Sequence, residues 1–131
     1  MSPLPSHLAA NERDALQTYM ARIQRSFPGR VLAVVLFGSK ARGDVTRSTP
    51  PEESDIDLLV LMDEENEADR STLWRIASDL SLEHDVVLSV RVYGRERWLE
   101  SRRIQLPLYR AITSDGISLI SNPAASQSLS S

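Results

Sequence analysis

Asp55 and Asp57 are the residues whose spacing best equips them to act together. They head an apolar run, Ile56 to Met62. Alternate side chains of a strand share a face, so the two carboxylates point the same way while Ile56 and Leu58 turn to the core. Adjacent carboxylates repel unless a cation sits between them. Divalent metals with hard oxygen ligands, Mg²⁺ above all, suit such a pair, and Mg²⁺ also suits a triphosphate. A second constellation precedes the first. Val31 to Phe37 reads as a buried strand that stops at Gly38, and Ser39-Lys40-Ala41-Arg42 can begin a short helix after it. Glycine permits a turn and close approach of a ligand to the main chain, while the free N–H groups of the turn and the Ser39 hydroxyl suit an anion such as phosphate. Lys40 and Arg42 add positive charge, although residues so close in sequence need not both point inward.

Neither feature says much alone. Gly-Ser is an ordinary turn and Asp-x-Asp an ordinary start to a surface strand. Their conjunction at the ends of consecutive strands, with basic residues beside the glycine, is what favours chemistry over decoration.

The positioning elements are legible in outline. Asn11 is the expected cap of a helix running to about Ser26, with Leu16, Met20 and Ile23 on one stripe. A second long helix spans about Ala68 to Leu82, with Leu73, Ile76, Ala77 and Leu80 on its apolar face. A third strand covers Val86 to Val92. Arg95 to Arg103 forms a short charged helix, and Pro107 opens a last helix ending near Asp115-Gly116. Gly43-Asp44 reads as the stop of the short helix after Gly38. Between Asp44 and Ser54, VTRSTPPEE is a loop that either carries specificity or is a tolerated surface insertion, because Pro50-Pro51 fits neither a helix nor a central strand.

The segments LFGSKARGD and SDIDLLV resemble the signature of the DNA polymerase beta-type nucleotidyltransferase superfamily. At this size the chain most resembles the minimal nucleotidyltransferases of prokaryotes, from about Leu16 to Ile120, most sharply in those two segments. The resemblance implies an α+β (α/β mixed) fold, a small mixed sheet flanked by helices. It implies transfer of a nucleoside monophosphate from a triphosphate to an acceptor hydroxyl with two Mg²⁺ ions. Carried over, Gly38 and Ser39 match the phosphate-gripping pair, with Lys40 and Arg42 beside them, and Asp55 and Asp57 match the metal-bridging carboxylates. A third carboxylate comes from a later strand in that superfamily, where it helps to hold the metal and draws the proton off the attacking hydroxyl. Asp85 is the best match, with Glu83 and His84 as rivals; imidazole prefers softer metals than Mg²⁺. A cap between helix and sheet is the plainer role for Asp85.

LPLYRAITSDGISLI is similar to the C-terminal segment of a subgroup whose members often pair with a helical HEPN-domain protein as the antitoxin of a toxin-antitoxin module. Some of these attach AMP to a tyrosine hydroxyl of the toxin. The resemblance therefore implies an ATP-dependent protein adenylyltransferase with a HEPN-type partner. The competing expectation is a protein without catalysis that neutralises its partner by docking, and a missing third carboxylate would favour it. Transfer to a small molecule is a further alternative, but such relatives usually add a helical domain for which there is no room here. An apolar patch near Trp98, Leu99, Leu106, Leu108 and Tyr109 is the expected docking surface.

Composition agrees with one small domain over residues 1–120 and a polar, disordered tail over 121–131. At 131 residues the chain can bury one core and not two. A net charge of −3 offers no broad footprint for a long nucleic acid. The chain has no cysteine, which excludes disulfides and thiolate metal sites. No segment has the length of a membrane span, and the N-terminus lacks a cationic start followed by an apolar stretch, so cytoplasmic residence is expected. A homo- or hetero-oligomer is compatible with all of this. Trp74 and Trp98 read as core or partner-contact residues before base-stacking platforms. The cluster Arg91, Arg95, Arg97, Arg102 and Arg103 reads as a solvated face before a site for a phosphate-bearing ligand or acidic partner.

Overall fold

The computed structural model of the chain describes residues 4–42 and 55–121. The expected helix stop at Gly43-Asp44, the 45–53 loop, Ser54 and the tail beyond Ser121 lie outside the described residues. The elements run α1 (Ala10–Ser26), β1 (Val31–Phe37), α2 (Ser39–Arg42), β2 (Ile56–Met62), α3 (Glu67–His84), β3 (Leu88–Gly94), α4 (Arg95–Arg103), α5 (Pro107–Asp115) and β4 (Ile117–Ser121). The four strands form one mixed sheet in the order β3-β2-β1-β4. β1 is antiparallel to both β2 and β4, and β2 is parallel to β3. This is the α+β architecture expected, with one strand more than the apolar runs announced.

β1 is apolar throughout because both of its faces are covered. Val34 and Leu36 pack with Leu58 and Val60 against the stripe Leu16, Tyr19, Met20 and Ile23 of α1 and Leu73, Ala77 and Leu80 of α3. Ala33, Val35 and Phe37 turn the other way and pack with Leu59 and Leu61 under Trp98, Tyr109 and Ile112 of α4 and α5. The period of two thus divides one strand between two cores. Tyr19 is fully buried in the first, and its hydroxyl donates to the Leu73 carbonyl at 3.1 Å, which satisfies a group that would otherwise be costly there. Burial pushes that phenol well above its ordinary range. No helix among the described residues is long and apolar enough to cross a membrane.

Several boundaries differ from the sequence reading for identifiable reasons. Ala9, not Asn11, is the N-cap of α1, and its N–H donates to the Glu12 side chain at 2.8 Å. Asn11 instead donates to the carbonyls of His84 and Asp85 at 3.0 and 3.5 Å, tying α1 to the end of α3. β3 begins at Leu88 because Val86 N–H is drawn back to the Ser81 carbonyl at 3.1 Å, and its preceding residue, Val87, takes the Ile56 N–H at 2.9 Å. Four outward backbone groups of β3 are taken by side chains: Ser81 Oγ accepts from Leu88, Trp74 Nε1 donates to Val90, Arg97 donates to Val92, and Glu65 accepts from Gly94. An edge so occupied is protected against adding another strand. Trp98 and Tyr109, placed in an exposed patch by the sequence, are core residues at 0 and 3 % exposure, with rings 5.3 Å apart. The exposed apolar residues of that region are Ile104 and Leu106, in the turn between α4 and α5.

Candidate active site

Antiparallel pairing of β1 with β2 brings the end of one strand beside the start of the other, and Phe37 lies opposite Asp57. Gly38 follows with φ +77°, and a Cβ built there would collide with a carboxylate oxygen of Asp57. The bend and the aspartate are therefore in intimate contact. Only glycine allows that approach with that backbone. The Gly38 carbonyl accepts the N–H groups of Ala41 and Arg42, both at 3.1 Å, which closes α2 as a single turn beginning at Ser39.

Asp57 is partly buried, and its carboxyl is held above the ordinary aspartate range. Burial is the largest cause, the charge of Asp55 the next, while Arg91 and Arg42 pull the other way. A pair of hard oxygen donors whose mutual repulsion disfavours ionisation is a set that a divalent cation would relieve, so Asp55 and Asp57 fit Mg²⁺.

Asp85 is placed differently from its two proposed companions. It caps α3 in the left-handed conformation, with φ 53°, and its side chain is exposed. It shares with Asp55, Asn11, Glu12, Lys40 and Val87 the lining of a cavity of about 500 Å³. The parallel register of β2 and β3 sets Ser89 level with Asp57, because Asp85 falls in the turn before β3 begins. Among the described residues no three acidic or histidine side chains gather closely enough to hold an ion together. Asp85 thus faces Asp55 across a cavity, and a hydroxyl stands beside Asp57. Of the rivals, Glu83 pairs with Arg22 at 3.6 Å on the surface and His84 ends α3.

Lys40 and Arg42 part company. Two residues on a helix turn are separated by about 200° around its axis. Lys40 consequently turns into the protein, where Nζ meets Glu12 Oε2 at 2.5 Å with both side chains nearly buried, at 10 and 12 % exposure. Its carbonyl also meets His7 Nε2. The positive charge expected to serve phosphate is countered by Glu12, although Lys40 still borders the cavity beside Asp55. Lys40→Met should destabilise the protein by about 2–3 kcal/mol in urea unfolding, because it leaves Glu12 buried without its counter-charge, and adding Glu12→Gln should restore much of the loss. A loss below about 0.5 kcal/mol would show that water, not Lys40, satisfies Glu12.

Arg42 points outward, 3.6 Å from Asp115 at the end of α5, and its charge reaches Asp57. Arg91, which the sequence reading left among solvated arginines, also acts on Asp57. It pairs with Leu59 one strand step beyond Ser89, on the face that carries Asp57. The available signal was a lone cation at alternate spacing from Ser89 inside a mostly apolar strand.

The nucleotidyltransferase domain family model matches residues 18–110. A Methanocaldococcus jannaschii protein named as a candidate protein adenylyltransferase is 31% identical over 106 residues, covering 81% of this chain and 95% of its own length. A solved Sulfolobus solfataricus protein described as a nucleotidyltransferase superposes with a TM-score of 0.54 at 21% identity, covering 93% of each chain. A solved complex described as a tri-AMPylated Shewanella oneidensis HEPN toxin with its MNT antitoxin matches with a TM-score of 0.50 at 18% identity, covering 89% of this chain and 77% of that one. With the Gly38 bend set against Asp57 and the model spanning most of the sequence, the chain belongs to the nucleotidyltransferase domain family.

Proposed function

We propose that this protein transfers AMP from ATP to a hydroxyl of a partner protein, a HEPN-type toxin with a tyrosine as acceptor, and so acts as its antitoxin. The observation that carries this reading is the contact between the Gly38 bend and the Asp57 carboxylate, with Asp55 beside it. The adenylyltransferase name of the Methanocaldococcus relative and the AMPylated toxin beside the Shewanella antitoxin support the acceptor class.

Each residue has a role that its position supports. Gly38 leaves room for the nucleotide's phosphates, Ser39 offers its hydroxyl at the start of α2, and Arg42 supplies positive charge near the leaving group. Asp55 and Asp57 are the residues that would hold Mg²⁺, which supplies positive charge to the phosphates when bound. The acceptor oxygen bonds to the α-phosphorus, the bond to the bridging oxygen breaks, and pyrophosphate departs with that electron pair. The hydroxyl proton leaves to solvent as the new bond forms. The cytoplasm, where ATP and Mg²⁺ abound, is the compartment this chemistry suits.

Incubation with Mg²⁺, labelled ATP and the product of the adjacent gene should place label on that protein, and Asp55→Asn should remove it. Absence of label on a folded partner that a verified adenylyltransferase does modify would count heavily against the proposal. One observation favours a second reading: Asp85, which the superfamily resemblance matches to the third carboxylate, lies in the turn before β3, and the β3 residue level with Asp57 is Ser89. A protein that neutralises its partner by docking alone needs no such group. Calorimetric titration of the partner into wild type and the Asp55→Asn/Asp57→Asn double variant separates the two, since neutralisation by docking survives loss of both carboxylates.

A further inference from the structure

The strand order assigns the two flanks of Asp57 to different tasks. Gly38, Ser39 and Arg42 come from β1 and α2 on one side of β2, whereas Ser89 and Arg91 come from β3 on the other. In phosphoryl-type transfer the attacking and leaving oxygens lie roughly in line, on opposite sides of the phosphorus. Phosphates held at α2 therefore bring the acceptor in from β3. This step rests on the transferase reading above.

Arg91 is the exposed cation on that approach. It also lines a groove of about 330 Å³ over β3, together with Arg70, Trp74, Tyr93 and Arg97. The other two arginines are engaged: Arg70 is clamped by Glu65 at 2.5 Å and Glu67 at 3.2 Å, and Arg97 lies 3.8 Å over the Tyr93 ring, meets Glu65 at 2.9 Å and donates to the Val92 carbonyl. Among the described residues no hydrogen bond or ion pair holds Arg91, so its guanidinium is available to an incoming group. The β3 backbone beneath it is already occupied by side chains, which rules against docking by strand addition and leaves recognition to side-chain chemistry.

We propose that Arg91 is a specificity-determining residue that binds a carboxylate of the acceptor protein next to the attacking hydroxyl. A planar guanidinium with several fixed donors matches a carboxylate in two parallel hydrogen bonds, so the preferred acceptor carries Asp or Glu beside its tyrosine. Asp57, on the same face of the neighbouring strand, repels an acidic group that moves deeper. The carboxylate is thereby kept at the rim while the neutral hydroxyl advances.

Two tyrosine peptides that differ only in carrying Glu or Lys beside the tyrosine test this by calorimetry on the intact protein without nucleotide. Wild type should bind the Glu peptide about tenfold more tightly than the Lys peptide, the size of one charge-assisted hydrogen-bonding pair at a partly exposed site. Arg91→Ala should lose that preference with ATP affinity within about twofold of wild type, and Arg91→Glu should reverse it. Equal binding of the two peptides by wild type, binding of neither, or an unchanged preference in Arg91→Glu overturns the assignment. So does an equal fall in ATP affinity in Arg91→Ala, which would give Arg91 to the nucleotide's phosphates. Peptide selectivity that shifts with Arg91 while wild type transfers no AMP would sink the transferase reading and leave Arg91 only as a carboxylate-binding residue of a docking surface.

Discussion

Asp57→Asn should lower AMP transfer by at least about 10³-fold and, in metal-free protein at pH 7, raise Tm by about 1–3 °C. The opposite signs have one cause. Asparagine keeps the shape of the side chain against Gly38 but removes the charge that repels Asp55 in the free protein and that would draw the proposed metal in the loaded one. The pH dependence follows from the raised carboxyl. The folded state holds the Asp57 proton more tightly than the unfolded chain does, so this group adds stability as pH falls through the window between its raised value and the ordinary aspartate range, and that contribution is absent above it. The variant should lose that slope. Millimolar Mg²⁺ should raise Tm of wild type and leave Asp57→Asn almost unmoved. Thermal melts from pH 4 to 8, with and without Mg²⁺, read all three effects, and wild-type turnover in the variant would remove Asp57 from the site.

The site was legible in the sequence where one residue's chemistry demanded one backbone, and less so where its role depended on which strand lay alongside. Gly38 stops an apolar run and Asp55 and Asp57 open the next; alternation and turn chemistry were enough to expect them near one another, and the antiparallel register sets Asp57 against Gly38. Lys40 looked equivalent to Arg42 because a sequence does not show which side of a one-turn helix meets Glu12, 28 positions earlier and on another element. The place of Asp85 in the turn before β3, with Ser89 level with Asp57, emerges only from the parallel register of β2 and β3. Arg91 read as one of a solvated cluster for the same reason. The fold class was read correctly, and of the strands only β4 was missed: ISLIS is short and follows Gly116 at the end of a helix, with too little alternation to stand out before the edge that β1 offers it is known.

Gly38→Ala should cost about 2–3 kcal/mol of stability and reduce transfer by about 10²-fold, and Gly29→Ala is its internal control. Both glycines lie in the left-handed region, at φ +77° and +74°, where any side chain adds about 1–2 kcal/mol of strain. They differ in what a methyl group would meet. At Gly29 there is nothing within 4 Å, so only the backbone strain is felt and transfer should stay near wild type. At Gly38 the methyl would overlap the Asp57 carboxylate, so either β1 withdraws or the aspartate swings out of line with Asp55. A carboxylate displaced by about 1 Å no longer meets the nucleotide where the reaction needs it, and losses of about 10²-fold follow from errors of that size. Urea unfolding and single-turnover transfer should therefore place the two variants together on stability, within about 1 kcal/mol, and far apart on rate. Equal transfer rates in the two would mean that the bend and the aspartate do not touch in solution, and the site built on their contact would fall with it.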